Sequence, residues 1–471
     1  MMHRSMSIPD LEADGFPQPQ RFWAVLTIAL GLMMSVLDGS IANLALPTIA
    51  QEFGITAANS IWVVNSYQLA NVMCLLPLAA LGEIVGYRRV YRAGMVVFTL
   101  ASLACAMSHT LSQLIAARVL QGLGAAGIMS VNSALVRFVY PRRLLGQGFG
   151  LNMMVGSTSS ALGPSIAAAI LSVAGWQWLF AVNIPLGILV LALGARTLPA
   201  TPRSTHRFDI GSAVLNAAAF GLLITGIEAL GHGDSYGIAI AEIAGGALAG
   251  WLLAKRSASR TNPLLPVDLM RRPVFALSVI GATCSFAAAA MAVVSMPFYL
   301  QLKLGFSQRE TGLLMTPWPL TVALLSTTSG RLADRFSAGV VGSIGQVMMA
   351  TGLISLALLP DDPALWNIAW RMSLCGAGFS LFNAPNNRTM IAAAPASRSG
   401  GASGMQATAR LLGQTLGTAM VAIMFGLRAD ATSLALFVAA AFALVSATAS
   451  LLRRPRMRAK SLGRPQSGAD P

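Results

Sequence analysis

Charge is scarce in this chain. Only 10% of its 471 residues are Asp, Glu, Lys or Arg, against about 25% in a soluble domain, so it cannot cover itself with a water-facing surface. Cysteine is scarcer still: Cys74, Cys105, Cys284 and Cys375 all fall in apolar segments, which excludes a disulfide framework and reads as small buried hydrophobes. No CxxC or HExxH pattern occurs and the four histidines are scattered, so neither a metal nor a cofactor is expected. No catalytic triad or phosphate loop is visible, and no polar stretch is long enough for a soluble domain. A membrane-embedded enzyme or a sensor is therefore disfavoured, and the lack of a ring-forming repeat disfavours a channel.

What the chain does have is apolar sequence: 55% hydrophobic residues and a mean hydropathy of +0.66. Apolar runs of about 20 residues recur from end to end, the mark of helices that span a bilayer. Barrel strands would alternate with a period of two, and these runs do not. The fold class is an all-α polytopic membrane protein. The net charge of +15 would suggest nucleic acid in a soluble protein. Here the basic residues cluster in short loops, so topology accounts for them and no nucleic-acid partner is expected.

Residues 1–21 read as a polar, disordered cytoplasmic tail and not as a signal peptide. Candidate spans follow at 22–46, 60–82, 88–108, 112–136, 147–173, 178–198, 208–231, 236–254, 273–300, 310–332, 339–359, 364–392, 403–427 and 431–452. Fourteen spans put both termini on one side. With the N-terminus inside, the inside segments hold Arg88, Arg89, Arg92, Arg137, Arg142, Arg143, Arg271, Arg272 and many more. The outside loops hold only Lys303, Arg309 and Arg428. That asymmetry predicts cytoplasmic termini in a cytoplasmic (inner) membrane. The basic tail, 453–471, serves as a topology anchor.

A repeat is visible. Ala79-Ala80-Leu81-Gly82-Glu83 recurs as Gly330-Arg331-Leu332-Ala333-Asp334-Arg335, and Arg118 recurs as Arg371. Both pairs are separated by about 250 residues, so two six-span halves, 22–200 and 261–452, flank an inserted pair at 201–260. That pair is expected to pack peripherally, with Glu228 and Glu242 near water.

Asp38 stands inside the first span, in Leu37-Asp38-Gly39-Ser40-Ile41-Ala42-Asn43-Leu44-Ala45-Leu46-Pro47. A carboxylate at that depth costs at least ~2.5–3.5 kcal/mol, so it is a candidate proton- or cation-binding group. Arg118 must find a carboxylate or carbonyls, and Asp38 is the obvious partner. Gln121 and Gly122 share its face, and Gly122 lets another backbone come close. Gly156, Gly163 and Pro164 break up the fifth span as a candidate hinge. A substrate cavity is expected around Met34, Asn43, Trp62, Asn65, Gln121, Met153, Met291 and Tyr299, since polarizable Met and aromatic faces suit varied ligands. Arg410 is read as structural, snorkelling from the cytoplasmic end of its span.

The chain resembles the major facilitator superfamily, specifically its fourteen-span drug:proton antiporters, from about residue 22 to 452. The first-span stretch just quoted is similar to L-D-x-T-V-x-N-V-A-L-P. Arg118-Val119-Leu120-Gln121-Gly122 resembles the fourth-span arginine motif. Trp176-Gln177-Trp178-Leu179-Phe180 with Asn183-Ile184-Pro185-Leu186-Gly187 resembles the start of the sixth span, and Ala384-Pro385-Asn386-Asn387 a further signature. The loop motif G-x-L-x-D-R-x-G-R-K departs in Ala79 and Glu83 but keeps Gly86, Arg88 and Arg89; the second copy keeps Asp334 and Arg335. The fifth-span antiporter motif keeps Gly156, Gly163 and Pro164, while its trailing glycines have become Ala167-Ala168.

The resemblance implies a monomeric secondary transporter that exports lipophilic, cationic drugs in exchange for protons. Asp38 would carry the proton, Arg118 would help it leave, and Glu83, Arg88, Arg89, Asp334 and Arg335 would form a cytoplasmic gate. Exporters of neutral or anionic metabolites and nutrient symporters share the fold, which by itself fixes neither cargo nor direction.

Overall fold

The computed structural model describes residues 15–141, 144–201, 203–204, 208–232, 236–258, 267–360, 362–393, 399–428 and 431–453. Seventeen α-helices lie among them. The first seven are α1 (Gln20–Phe53), α2 (Ala57–Val85), α3 (Tyr87–Ala106), α4 (Leu111–Val139), α5 (Leu145–Leu171), α6 (Gln177–Ala181) and α7 (Asn183–Thr197). Then come α8 (Ile210–His232), α9 (Tyr236–Ala258) and the short α10 (Val267–Met270). The last seven are α11 (Pro273–Phe298), α12 (Gln308–Met315), α13 (Pro317–Arg335), α14 (Ala338–Ala357), α15 (Leu365–Ala393), α16 (Ser399–Leu427) and α17 (Thr432–Leu451).

Local chemistry sets the ends. Thr56 and Thr110 cap α2 and α4 by accepting from the N–H three residues on, at 3.2 and 3.3 Å. Ser307 and Glu310 close a full capping box on α12. Proline explains the breaks: Pro317 follows Thr316 where α12 hands over to α13, and Pro185 lacks the N–H that would tie α7 back to α6. α11 runs on into a π-helical turn, Tyr299–Lys303. α5 bends by 40° between Ser160 and Leu162, beside its small residues.

Among the described residues eleven helices are long and apolar enough to cross a membrane, and twelve if bent α5 counts as one span. α13 and α15 fall outside that set; α15 carries Asn367, Arg371, Asn383, Asn386, Asn387 and Arg388.

Packing sorts the helices into two groups. α1 to α7 pack on one another, chiefly α3 on α4, α2 on α4 and α1 on α5. α11 to α17 do likewise, chiefly α14 on α15, α11 on α16 and α14 on α17. The groups meet along α2–α16 on one side and α5 with α12 and α13 on the other. One apolar cluster joins them where α1 and α11 end, and includes Ile41, Leu44, Met291, Met296, Tyr299 and Trp318. Polar links reinforce that end: Gln301 Nε2 donates to Leu44 O at 3.3 Å, Gln308 bonds Thr48, and the Ser165 and Thr316 hydroxyls are 2.7 Å apart.

α8 and α9 pair with each other, and Asp209, just before α8, holds Arg256 of α9 at 2.8 Å. α9 leans chiefly on α8, while α8 reaches α2 and α16. Asn216 Nδ2 donates to Met73 O at 2.8 Å, and Ile224 joins Leu69, Val72 and Leu411 in a small apolar cluster. The inserted pair therefore sits outside the two groups but on their seam. Glu242 is half-buried on α9, and the Glu228 side chain lies outside the described residues. Residues 15–19, expected as free tail, instead dock: Phe16 N–H donates to Val139 O at 3.0 Å and its ring packs on the core of the first group.

Candidate functional site

A buried polar cluster is built on four helices of the first group. Asp38 comes from the middle of α1, Arg118 and Gln121 from one face of α4, Ser102 from α3 and Asn183 from the first turn of α7. Asp38 is 2% exposed and Arg118 fully buried. Arg118 Nη1 is paired with Asp38 Oδ2. Asp38 Oδ1 accepts from Gln121 Nε2 and from Asn183 Nδ2, both at 2.8 Å. The Gln121 amide bridges the pair, because its Oε1 accepts from Arg118 Nη1 at 2.7 Å. Its Nε2 also donates to Ser102 Oγ at 2.9 Å.

Arg118 is held from the other side too. Its Nε donates to Val63 O at 2.8 Å, and its guanidinium lies 4.2 Å from the Tyr67 ring centre and 5.5 Å from that of Phe180. Tyr67 is fixed in turn by its hydroxyl, which donates to Ser35 O at 2.8 Å. Gly122 makes this possible: a Cβ there would stand 2.3 Å from Tyr67 O, so only glycine lets α2 lie so close to α4. Of its three guanidinium nitrogens, Nη2 has no hydrogen-bond partner among the described residues.

Every group facing Asp38 is a donor, which matches an acceptor-only carboxylate. A proton on Asp38 would turn one acceptor into an O–H donor aimed at donors. Loading it therefore has to loosen Arg118 or an amide. Asp38 thereby joins α1, α4 and α7 through its side-chain bonds.

The other expected site residues scatter. Met34 packs inside the first group beside Tyr67, and Gln121 belongs to the charge cluster, so neither lies on an open surface. Met291 and Tyr299 are buried in the cluster that closes the two groups. Asn43 donates to Gly39 O at 3.2 Å, Trp62 is half-buried, and Asn65 accepts from Thr418 of α16. The Met153 and Asp334 side chains lie outside the described residues. In the loop copies, Arg88 reaches the carbonyl of Ala195 and Arg89 that of Val85, while Arg335 is exposed. The α2–α3 turn is also tied to the segment after α7, through Ser204 N–H to Glu83 O at 2.7 Å and Tyr87 N–H to Thr201 Oγ1 at 3.0 Å. Gly163 and Pro164 face α1 and α12, where a Cβ on Gly163 would meet Ser40 at 2.6 Å; Gly156 has its nearest neighbour at 4.0 Å.

The repeat does not carry the charge cluster across. Arg371 turns onto its own helix, donating to Asn367 O at 2.8 Å, with Trp370 beside it. Asn183, Ser102 and Tyr67 were missed as site residues; each is a polar group in an apolar run, and only Asn183 fell within a quoted motif.

Two comparisons place this architecture. The sequence profile of the Major Facilitator Superfamily matches residues 28–418 and again 278–468. The chain belongs to the major facilitator superfamily. Among curated relatives, the Escherichia coli protein described as an uncharacterized transporter, YebQ, is 52% identical, covering 96% of this chain and all of that one. The riboflavin transporter RibZ of Clostridioides difficile is 32% identical over 86% of this chain and 88% of its own. The multidrug resistance protein Stp of Mycobacterium tuberculosis is 32% identical over 84% and 74%. The superfamily member described here is thus a multi-span membrane transporter with a buried Asp38–Arg118 pair.

Proposed function

We propose that this transporter is a proton-coupled exporter of lipophilic small molecules, working by alternating access between halves at 22–200 and 261–452. The carrying observation is the Asp38–Arg118 pair, closed by Gln121 and Asn183. Protonation of Asp38 frees Arg118 and slackens α1 against α4 and α7, so proton uptake and helix movement become one event. The chain acts as a monomer with fourteen spans. Broken α12–α13 counts as one and polar α15 as another, and both ends lie in the cytoplasm. On that topology the sealed end faces outward and the structure is inward-facing. The drug-export reading draws on Stp and on the antiporter motifs; the riboflavin transport of RibZ keeps a metabolite cargo as the second reading.

The test is proton release from detergent-purified protein on adding a lipophilic dye, beside pH-gradient-driven dye flux in proteoliposomes. The reading requires both in the wild type and neither in Asp38→Asn. Equal proton release from the two proteins would place coupling elsewhere.

A further inference from the structure

At the end of the fold opposite the seal, where α11 and α14 begin and α15 ends, the helices part around an open cavity of about 470 Å³. It is lined by Val274 of α11, Ala338 of α14 and Pro385, Arg388, Thr389 and Ala392 of α15. Four of these are small and apolar. Thr389 gives its hydroxyl proton to Pro385 O at 2.8 Å, so Arg388, exposed on α15, is the side-chain donor of the lining. Its guanidinium is engaged elsewhere as well, but it carries five N–H donors, more than one partner uses. No Asp or Glu lines the cavity among the described residues.

Two helix starts meet the same space. α11 opens at Pro273 and α14 at Ala338, and neither N-cap residue, Arg272 or Ser337, makes a side-chain capping bond. The first-turn N–H groups of both helices therefore lack a side-chain acceptor, and both dipoles turn their positive end this way. Arg272 stands at the rim, where its Nη1 donates at 2.9 Å to the carbonyl of Ala393, another lining residue.

A buried cation backs the wedge. Arg453, from the end of α17, is only 6% exposed. Its carbonyl lies 3.7 Å from a Cβ on Gly339 of α14, and its Nη2 3.1 Å from one on Gly281 of α11. Its guanidinium sits 5.6 Å from the Phe382 ring centre, about one helical turn before Pro385 on α15. The same three helices that wall the cavity thus hold Arg453, whose Nε and Nη2 are buried with no hydrogen-bond partner among the described residues.

Donors and positive charge without an acid make an anion site, and helix starts with an arginine suit phosphate oxygens. α11 and α14 are long and apolar enough to cross a membrane, so their first residues stand at the depth of lipid headgroups. We propose that this cavity binds the phosphate of an anionic membrane lipid. Arg388 and the N–H groups that open α11 and α14 hold the phosphate, while Val274, Ala338 and Ala392 lie against its glycerol and upper chains. The lipid then pins the starts of α11 and α14 to the end of α15 and stabilises the second group. The site does not rest on the export reading.

The experiment follows the thermal stability of the delipidated full-length protein in neutral detergent. It is titrated with dioleoylphosphatidylglycerol, dioleoylphosphatidylcholine or inorganic phosphate. The wild type is expected to be half-stabilised by phosphatidylglycerol at a concentration at least about tenfold lower than by phosphatidylcholine, the weight of one hydrogen-bonded charge. Arg388→Gln should erase most of that preference. Ala392→Trp, which fills the cavity without changing charge, should weaken it likewise. Arg92→Gln, at an exposed arginine on the same end of the first group, should keep it whole. No preference in the wild type, or an intact one in Arg388→Gln, would overturn the site. An equal loss in Arg92→Gln would mean diffuse surface charge and overturn it too. Inorganic phosphate that reproduces the stabilisation at the same concentration would assign the site to a soluble phosphate and overturn the lipid. If Arg388→Gln gives no monodisperse protein, Ala392→Trp decides, with an unchanged preference counting against the proposal.

Discussion

Asn183, the first residue of α7, donates its side-chain amide to Asp38 Oδ1 at 2.8 Å. The bond joins residues 145 positions apart and ties the sixth-span region to the charge pair. Pro185 leaves one helical carbonyl without its donor, yet Val182 between α6 and α7 stays helical, so the two run on as one span and its winding points Asn183 at Asp38.

Removing that donor tests the anchor. Asn183→Ala should lower thermal stability in detergent by about 1–3 kcal/mol, the cost of stranding a buried acceptor. Asn183→Asp should be worse, since it sets a like charge against Asp38. A melting temperature unchanged in both variants would show that Asp38 does not depend on α7.

The pair itself is expected to fail one-sidedly. Asp38→Asn strands the Arg118 cation and should destabilise by up to ~3–5 kcal/mol. Arg118→Lys should also lose most transport, since an ammonium cannot reach Asp38, Gln121 Oε1 and Val63 O together. Asp38→Asn with Arg118→Leu should recover stability relative to Asp38→Asn alone, measured by thermal unfolding.

Glycines in the spans should differ sharply in tolerance. Gly122→Ala drives a methyl into Tyr67 O and should cost ~1–3 kcal/mol while disturbing Arg118. Gly156→Ala meets nothing nearer than 4.0 Å and should be neutral in expression and melting temperature.

The α8–α9 ends carry a pH-sensitive clasp. Hydrogen bonding from Arg256 holds the Asp209 carboxyl well below the usual carboxylate range, with Ser212 adding to it. A lowered folded value means the clasp is complete above the unfolded pKa of ~3.9 and is lost as pH falls through the folded value. The protection factors for amide exchange at the start of α8, with the intrinsic pH dependence of exchange divided out, should therefore be flat from neutral pH to about 4, and lower in Asp209→Asn throughout that window.

The sealed end must open if the halves rock. Ser165→Cys with Thr316→Cys, whose hydroxyls lie 2.7 Å apart, should cross-link in the resting protein. Cross-linking should stop dye flux and a reductant should restore it. Full flux in the cross-linked protein would mean that this seam does not move.

The sequence by itself determined the membrane class, the helical fold and the depth of Asp38 and Arg118, because apolar run length and a charge inside it are local facts. It also suggested a repeat, from the offset between Arg118 and Arg371. What it could not carry was which repeat copy holds an ion pair. Arg118 meets Asp38 because α1 supplies the acid at that level and Gln121 and Asn183 bond it from α4 and α7. Arg371 has a matching position and even a matching close approach, a Cβ on Gly376 standing 2.3 Å from Trp318 O, but no acid recurs at 289–291 where Asp38 would repeat, so it folds back on Asn367. Helix rotation and partner choice are set by contacts between distant segments, and only the tertiary structure decides those.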